Sequence, residues 1–407
     1  MNKENKESLS SRYYYRYLKS FIGFLVPIGA DSLGDYIIAS DVLGRIEDVD
    51  AFLHDAKRKI PDDGRIVITQ YNALWEPVLR LASLLKIRNA IIEQNWLSIP
   101  DLKNFAYIAG LEVVKSGTKM IMPIYVPIVS FLLNDYLGNI WPFNRLGLFH
   151  YIVLRKPERR TSCIANKKAS LSVIVPARNE AGTIERIARE LPEVGLFTEI
   201  VFIEGNSTDN TYEEINRVAN LLGGKRKIKV AKQDGRGKGD AVRKGFEIAT
   251  GDILTIYDAD MTVPPEDVTK FYNAIVENKA DFINGTRLVY PMQKESMRVL
   301  NFFGNKFFSM AFSWILGQTL KDTLCGTKMI WRKDYEKVKQ GQKFFGDFDP
   351  FGDFDLLFGA AKLNLKIIDL PVHYKDRVYG TTNISRWKHG WLLLKMTVFA
   401  SRKMKFI

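Results

Sequence analysis

Two aspartates, Asp258 and Asp260, stand two positions apart directly after residues 253–257, an apolar run typical of a β-strand. Two carboxylates at a strand end can both reach one hard cation, and Mg²⁺ and Mn²⁺ prefer oxygen ligands and bridge phosphates. A metal held there would neutralise a diphosphate leaving group as its bond breaks. The alternative is an acidic surface turn, so the interpretation depends on the segments that surround the pair.

Three further polar segments also follow apolar runs directly. Residues 176–180 follow the strand predicted at 171–175, residues 204–209 follow 200–203, and residues 234–241 follow 228–231. The last segment is rich in glycine and opens a predicted helix, so its backbone could approach a phosphate. It lacks the Lys-Ser or Lys-Thr of a P-loop, and by itself it could be a plain turn.

Helical patterns alternate with these strands. Helices are predicted at residues 181–191, 208–221, 239–249 and 264–276, with Ser207 or Thr208 as N-cap of the second and Pro264 and Pro265 in the first turn of the last. Strand–helix alternation favours a mostly parallel sheet with helices on both faces. Ligands bind such sheets beyond the carboxyl ends of the strands, where all four polar segments should meet.

Further polar motifs follow in the second half of the chain. Arg287 comes after a strand predicted at 281–283, and its planar fork suits a phosphate, although a surface arginine is the alternative. A helix with an aromatic face begins near Arg298, and an Asp-Thr-Leu-Cys-Gly-Thr-Lys string occupies residues 322–328. Asp353 and Asp355 diverge at helical spacing, so we expect one of them to face a cleft.

In this order, the motifs resemble the family-2 glycosyltransferases with the GT-A fold. Residues 171 to about 400 are most similar to the branch of dolichyl- and polyprenyl-phosphate sugar synthases. The resemblance implies that Asp260 binds the metal and that Asp258 meets the metal-bound phosphate or the ribose. The residues it assigns to the nucleotide are Ala177, Asn179, Glu180, Glu204, Asp209, Lys238 and Asp240. The family usually has an Asp pair where this chain has Glu204, which leaves uracil and guanine both open.

The resemblance also implies roles on the acceptor side. Arg287 would grip the donor phosphates, and Arg298 would neighbour the acceptor. Asp353 or Asp355 would be the general base for a hydroxyl acceptor, whereas an acceptor phosphate is already ionised and needs cations instead. The cations expected to meet such a phosphate are Arg377 and Arg386.

The function expected from these motifs is metal-dependent sugar transfer, with inversion, from a UDP- or GDP-linked sugar. The expected cofactor is Mg²⁺ or Mn²⁺, and the expected acceptor is a polyprenyl phosphate. A hydroxyl of a cell-surface glycan or lipopolysaccharide precursor is the alternative acceptor. A non-catalytic two-domain scaffold is a further alternative, against which the Asp258–Asp260 pair and Arg287 argue. No nucleic acid partner is expected.

Bulk properties bear on the location of the protein. The chain has 407 residues and a net charge of +13, which suits anionic partners. Its two cysteines exclude a disulfide scaffold and fit a reducing cytosol. The polar N-terminus predicts no signal peptide, and the apolar stretches 120–133 and 299–316 are too short or too interrupted to predict membrane spans. We therefore expect a cytoplasmic protein, peripheral at the inner face of the cell membrane.

The N-terminal segment has its own resemblance. Residues 35–43 and 61–69 are similar to the carboxyl half of a class I S-adenosylmethionine methyltransferase. The glycine-rich cofactor loop of that family would precede residue 35, where no G-x-G occurs. We therefore expect a degenerate Rossmann-like domain, without bound S-adenosylmethionine, that docks a partner or contacts the membrane.

These patterns predict four regions. A methyltransferase-like domain at 1–155 precedes a basic linker at 156–170, a GT-A domain at 171–384 and a C-terminal helix at 385–407. From Lys375 onward the chain has eight Lys or Arg residues against one acidic residue, Asp376, with aromatic residues interleaved. Such a helix suits an anionic membrane surface, and a helix docked on the catalytic domain is the alternative.

Overall fold

The computed structural model describes residues 9–26, 35–85, 95–157, 169–290, 299–341, 354–377, 379 and 386–406. Of residues 9–11, 299–303 and 386–389 it describes the helix and not the side chains. Most of the linker predicted at 156–170 therefore lies outside the described residues. The chain divides into two compact units, Met1–Glu158 with Ser401–Ile407 and Arg159–Ala400.

The first unit is a four-stranded sheet with helices. Its elements are α1 (Leu9–Leu25), β1 (Tyr36–Ser40), α2 (Val49–Lys59), β2 (Arg65–Tyr71), α3 (Glu76–Leu84), α4 (Ile99–Ile108), β3 (Glu112–Lys119), α5 (Val129–Phe131) and β4 (Phe149–Arg155). The strand order is β1-β2-β4-β3, in which β1 and β2 are parallel and β4 runs antiparallel to both of its neighbours. The two segments that resemble the methyltransferase family, residues 35–43 and 61–69, overlap β1 and β2.

Both faces of this sheet are covered, because successive residues of a strand point to opposite faces. Ile66 and Ile68 of β2 pack with residues of α2 and α4, whereas Val67 packs with α1. Sequence reasoning missed α1, although its buried residues carry a clear helical spacing. They are Tyr14, Leu18, Phe21 and Leu25.

One lysine of the first unit, Lys119, is buried. Lys119 ends β3, and its Nζ donates hydrogen bonds to Asn139 Oδ1 at 2.6 Å and to the Lys405 carbonyl at 3.0 Å. Burial, with a smaller contribution from the charge of Lys405, lowers the pKa of Lys119 to about 7. Burial also lowers the pKa of Lys405 to about 8.

We expect the free energy of unfolding to rise with pH between about 7 and the ordinary lysine pKa of 10.5. In that window Lys119 is neutral when folded and takes up a proton on unfolding, which gives a slope of up to about 1.4 kcal/mol per pH unit. Urea unfolding across this range should show a smaller slope for Lys119→Met, with a remainder due to Lys405. An unchanged slope would contradict the assignment.

The second unit contains a seven-stranded sheet. Its elements are β5 (Leu171–Ala177), α6 (Ile184–Glu190), β6 (Thr198–Glu204), α7 (Thr211–Leu222), β7 (Lys227–Lys232), α8 (Lys238–Ile248), β8 (Ile253–Ile256), α9 (Asp267–Val276), β9 (Phe282–Thr286), α10 (Val299–Leu316), β10 (Lys328–Trp331), α11 (Arg332–Gln340), α12 (Phe354–Lys362), β11 (Ile367–Pro371) and α13 (Arg386–Met404). The last residues of α13 belong to the first unit. Within the described residues, no helix combines the length and the apolar character needed to cross a membrane.

The sheet of the second unit is mixed. Its order is β11-β9-β10-β8-β5-β6-β7, and β10 runs antiparallel to β8 and β9. The other neighbouring pairs are parallel. The mostly parallel sheet predicted from the sequence is therefore interrupted by one strand. Val173 and Val175 of β5 face a core shared with α6, α7 and α9, whereas a side chain on Gly245 of α8 would overlap Ile174.

Two helix starts predicted from the sequence were wrong. The N-cap of α7 is Asn210 rather than Ser207 or Thr208, because both of those residues bond the loop that follows β5. Helix α9 begins at Asp267. Pro264 and Pro265 lie in the preceding turn, where the Pro264 carbonyl accepts a hydrogen bond from Asp267 N and the Pro265 carbonyl accepts one from Val268 N.

Candidate active site

The loops that follow β5, β6 and β7 are tied together by hydrogen bonds. Gly205 N donates to the Ala177 carbonyl at 2.8 Å, and Thr208 N donates to Asn179 Oδ1 at 2.8 Å. Asn206 Nδ2 donates to the carbonyl of Gly235 in the glycine-rich loop at 3.4 Å. The polar segments predicted to meet at the carboxyl ends of the strands therefore do lie together.

Three residues of this edge have a left-handed backbone. Asn179, Asn206 and Met261 have φ values of +56°, +58° and +54°. This conformation is tolerated by asparagine and unusual for a residue as bulky as methionine. Met261 directly follows Asp260, so part of the local strain sits beside the acidic pair. Such strain is concentrated at functional sites.

Asp258 is paired with a lysine from the glycine-rich loop. Lys238, the first residue of α8, places its Nζ 2.6 Å from Asp258 Oδ1. Burial by itself would raise the pKa of Asp258, but the Lys238 and Lys328 ammonium groups hold it below its usual value. Asp258 is therefore a charged carboxylate in a cationic setting.

Asp260 has a different environment. Its Oδ1 accepts hydrogen bonds from Thr262 N at 3.1 Å and Thr262 Oγ1 at 2.8 Å. Its Oδ2 accepts one from Arg377 Nη2 at 3.0 Å. Burial and the charge of Asp258 raise the pKa of Asp260. A further cation would stabilise both carboxylates in their charged forms.

Arg377 joins Asp260 to Glu180 of the loop after β5. Its Nη1 donates to Glu180 Oε1 at 2.6 Å. Burial raises the pKa of Glu180 to about 7, and Glu180 Oε2 is buried without a hydrogen-bond partner among the described residues. The segment after β11 therefore brings a cation to the strand ends, where it pairs with two carboxylates that sequence reasoning did not identify as its partners. The expected role of Arg377 towards an acceptor phosphate stays a prediction.

Arg287 is fixed by a carboxylate whose role the sequence did not reveal. Its Nε and Nη2 donate to the two oxygens of Asp322 at 2.7 and 2.9 Å, and its backbone N donates to the same residue at 3.0 Å. Asp322 is fully buried. The Arg287 guanidinium also lies 5.2 Å from the centre of the Tyr374 ring. The available signal was an aspartate at the start of the string at 322–328.

Three other predicted site carboxylates bond to their own loops. Glu204 Oε1 accepts from Ser207 N at 2.5 Å. Asp209 Oδ1 accepts from Thr211 at the start of α7, and Asp240 Oδ2 accepts from Gly235 N at 2.7 Å. These contacts shape the strand-end loops, and the binding roles of the three residues stay predictions.

The predicted acceptor residues are described only in part. Arg298 and Asp353 lie outside the described residues, and of Arg386 only its place at the start of α13 is described. Asp355 lies in α12, with Oδ2 3.9 Å from Arg243 Nη1 of α8. The choice between Asp353 and Asp355 as a base therefore stays open.

The carboxylate oxygens of Asp258 and Asp260 are suitable ligands for a divalent cation such as Mg²⁺ or Mn²⁺. The described residues contain no group of three His, Cys, Asp or Glu side chains arranged to hold a metal. Mg²⁺ is commonly held by one or two carboxylates, with substrate phosphates completing its coordination. Two adjacent carboxylates, now partnered by Lys238 and Arg377, match that pattern.

Gly326 allows a close approach to this pair. A Cβ at this position would overlap the Asp258 carboxylate and the Lys238 ammonium. We therefore expect Gly326→Ala to displace them and to weaken binding of the nucleotide sugar that the sequence predicts by about tenfold, equivalent to about 1.4 kcal/mol. The measurement is KM for that predicted substrate. Gly224→Ala is the matched control, since nothing lies within 4 Å of its Cβ position. Equal KM values for the two variants would contradict this role.

Comparisons with known proteins identify the family. Residues 172–339 match the family model described as glycosyl transferase family 2. The dolichol-phosphate mannosyltransferase of Pyrococcus furiosus is 35% identical over 248 residues, which cover 58% of this chain and 67% of that protein. The chain belongs to glycosyl transferase family 2. Glycosyltransferase AglJ of Haloferax volcanii is 29% identical to this glycosyltransferase over 227 residues, 55% of the chain and 69% of AglJ.

A solved structure is also similar to this glycosyltransferase. It is glucosyl-3-phosphoglycerate synthase of Mycobacterium tuberculosis in complex with Mn²⁺, UDP and glucosyl-3-phosphoglycerate. The matched region covers 60% of this chain and 82% of the synthase chain. The identity is 19% and the TM-score 0.44. Membership of the family and the mixed α/β sheet with helices on both faces agree with the GT-A-like architecture that the sequence predicted for this domain.

Proposed function

We propose that this glycosyltransferase moves a sugar from a UDP- or GDP-linked donor to a polyprenyl phosphate, with Mg²⁺ or Mn²⁺ held by Asp258 and Asp260. The observation that carries the proposal is the pairing of these two carboxylates with Lys238 and Arg377 at the carboxyl ends of the strands. The name of the Pyrococcus relative, a dolichol-phosphate mannosyltransferase, supports a lipid phosphate acceptor.

The nucleotide would lie over the linked loops after β5, β6 and β7. Ala177, Asn179 and Glu180 would line its pocket, and Lys238 would face the diphosphate. Arg287 Nη1 makes no hydrogen bond to a described residue, whereas Nε and Nη2 are held by Asp322. The ion pair thus presents one edge of the guanidinium in a fixed orientation, which suits a phosphate oxygen. A bound divalent cation would supply charge neutralisation to the leaving diphosphate.

In the transfer step an oxygen of the acceptor phosphate attacks the anomeric carbon of the sugar. The bond to the donor diphosphate breaks, its electron pair leaves with the nucleoside diphosphate, and the anomeric configuration inverts. No proton has to be removed, because the acceptor phosphate is already ionised. The protein therefore has to position the donor diphosphate and the acceptor phosphate. With a metal bound to Asp258 and Asp260, Arg377 would leave Asp260 and bind the acceptor phosphate instead.

The test is transfer by the full chain with Mn²⁺, labelled UDP- and GDP-sugars and undecaprenyl phosphate. We expect a labelled lipid product whose formation stops on chelation. Absence of both transfer and donor hydrolysis across a broad donor panel would refute the enzyme proposal. Asp353→Asn and Asp355→Asn should leave transfer to a lipid phosphate intact, and loss of activity in either variant would favour a hydroxyl acceptor.

For the first unit we propose a degenerate methyltransferase-like domain that does not bind S-adenosylmethionine. The likeness rests on the sequence similarity at 35–43 and 61–69, which contain β1 and most of its parallel neighbour β2, and the expected lack of binding rests on the absence of a G-x-G among residues 1–34. Isothermal titration of the full chain with S-adenosylmethionine is the test, and a measurable binding heat would refute this proposal.

A further inference from the structure

Residues 124–146 of the first unit expose an unusual amount of apolar surface. Ile128 and Trp141 are 74% and 69% exposed, and Phe131 and Leu132 are each 51% exposed. Tyr136 and Ile140 are also exposed. Apolar surface in water costs about 25 cal/mol per Å² relative to burial, so a cluster of such residues indicates a missing partner.

Three polar residues of the same segment, Ser130, Asn134 and Asn139, are buried. Asn134 is fully buried, and its side chain bonds the backbone N and carbonyl of Met122 at 2.8 and 2.9 Å. Ser130 is buried and donates to the Ile124 carbonyl at 2.9 Å. Asn139 accepts a hydrogen bond from Lys119. The segment is therefore held by buried polar side chains, while much of its apolar surface and the basic Arg145 are exposed.

The exposed surface of this segment also lacks negative charge. Asp135 is the one acidic residue of residues 124–146. It faces Tyr17 and the ammonium of Lys119 within the unit, so the exposed side presents no carboxylate from this segment. An apolar surface that lacks negative charge suits the hydrocarbon and headgroup region of an anionic membrane.

The carboxyl end of α13 adds positive charge beside this surface. Phe406 stacks on Tyr136 with ring centres 4.9 Å apart, and the Lys405 carbonyl binds Lys119. Arg402 and Lys403 precede these contacts and are exposed. Basic groups next to exposed tryptophan and tyrosine side chains are typical of proteins that insert shallowly at an anionic lipid surface.

We propose that residues 124–146 insert into one leaflet of an anionic membrane, with Arg402 and Lys403 at the level of the headgroups. The inference rests on the proposed function in one respect, that a polyprenyl phosphate acceptor would be delivered from that membrane. It assigns the attachment to a surface of the first unit, separate from the residues that bind the donor.

The test is co-sedimentation of the full chain with phosphatidylglycerol–phosphatidylcholine vesicles and with pure phosphatidylcholine vesicles. We expect tighter binding to the anionic vesicles. The variant Ile128→Ser/Phe131→Ser/Trp141→Ser should bind them about tenfold more weakly or worse, because it removes apolar surface that would enter the leaflet. Its circular dichroism and melting should match the unsubstituted protein, since all three side chains are exposed. The matched control is Leu196→Ser/Leu221→Ser, which removes leucines that are 65% and 53% exposed in the second unit.

Equal vesicle binding by the triple variant and the unsubstituted protein would overturn the proposal. So would self-association without vesicles that the triple variant abolishes, because the partner would then be a second copy of the chain. Binding is measured without nucleotide sugar or acceptor, and Asp260→Ala should bind vesicles normally. Vesicle binding without sugar transfer would therefore count against the proposed function and not against this surface.

Discussion

Asp260→Ala should lower sugar transfer by about a thousandfold or more while the protein stays folded. A metal at a leaving diphosphate contributes several kcal/mol of transition-state stabilisation, and each ~1.4 kcal/mol corresponds to tenfold in rate. Asp260 is also an ion-pair partner of Arg377. In the variant, Arg377 would still be paired with Glu180. The chain should therefore lose metal binding rather than its fold.

The measurements are initial rates at saturating donor and binding of Mn²⁺ followed by electron paramagnetic resonance in the presence of the nucleoside diphosphate. Glu213→Ala, which removes an exposed carboxylate of α7, is the control and should keep both properties. Normal Mn²⁺ binding or unchanged transfer in Asp260→Ala would show that the metal is held elsewhere.

Asp322→Ala should destabilise the protein by about 3–5 kcal/mol, the usual cost of removing one partner from a buried ion pair. The Arg287 side chain is only 12% exposed and would lose its counter-charge. Burial by itself would raise the pKa of Asp322, but Arg287 and the hydrogen bond from Asn305 lower it to about 2. The stability from this pair is therefore present above the ordinary value of 3.8 and is lost as pH falls towards 2.

Urea unfolding at neutral pH measures this effect. The double variant Arg287→Met/Asp322→Leu should recover part of the lost stability, because neither charge is then left unpaired. Glu190→Ala breaks the exposed Arg186–Glu190 pair and should change stability by less than about 1 kcal/mol. If Asp322→Ala were no more destabilising than Glu190→Ala, Arg287 would not depend on Asp322 for its burial.

The strands and loops that carry the candidate site were predictable because their signals are local. Apolar runs, helical spacing and the polar segments after each strand are patterns of neighbouring residues. They located β5 to β8 and brought Asn179, Glu204 and Asp258 to one edge of the sheet. Helix starts were less predictable, since Ser207 and Thr208 bond to a loop nearly thirty positions away instead of capping α7.

The sequence by itself determined the family domain, the strand–helix order of its first half and the position of the acidic pair. Only the tertiary structure decided how those charges are balanced: Arg377 reaches Asp260 across 117 positions, and Asp322 reaches Arg287 across 35. Ion pairs between residues so far apart in the sequence depend on the order and direction of the strands, including the antiparallel strand β10. The structure alone also showed that residues 124–146 expose many of their apolar side chains. An apolar residue in a sequence can be buried in the protein core or exposed on its surface, and only the packing decides which.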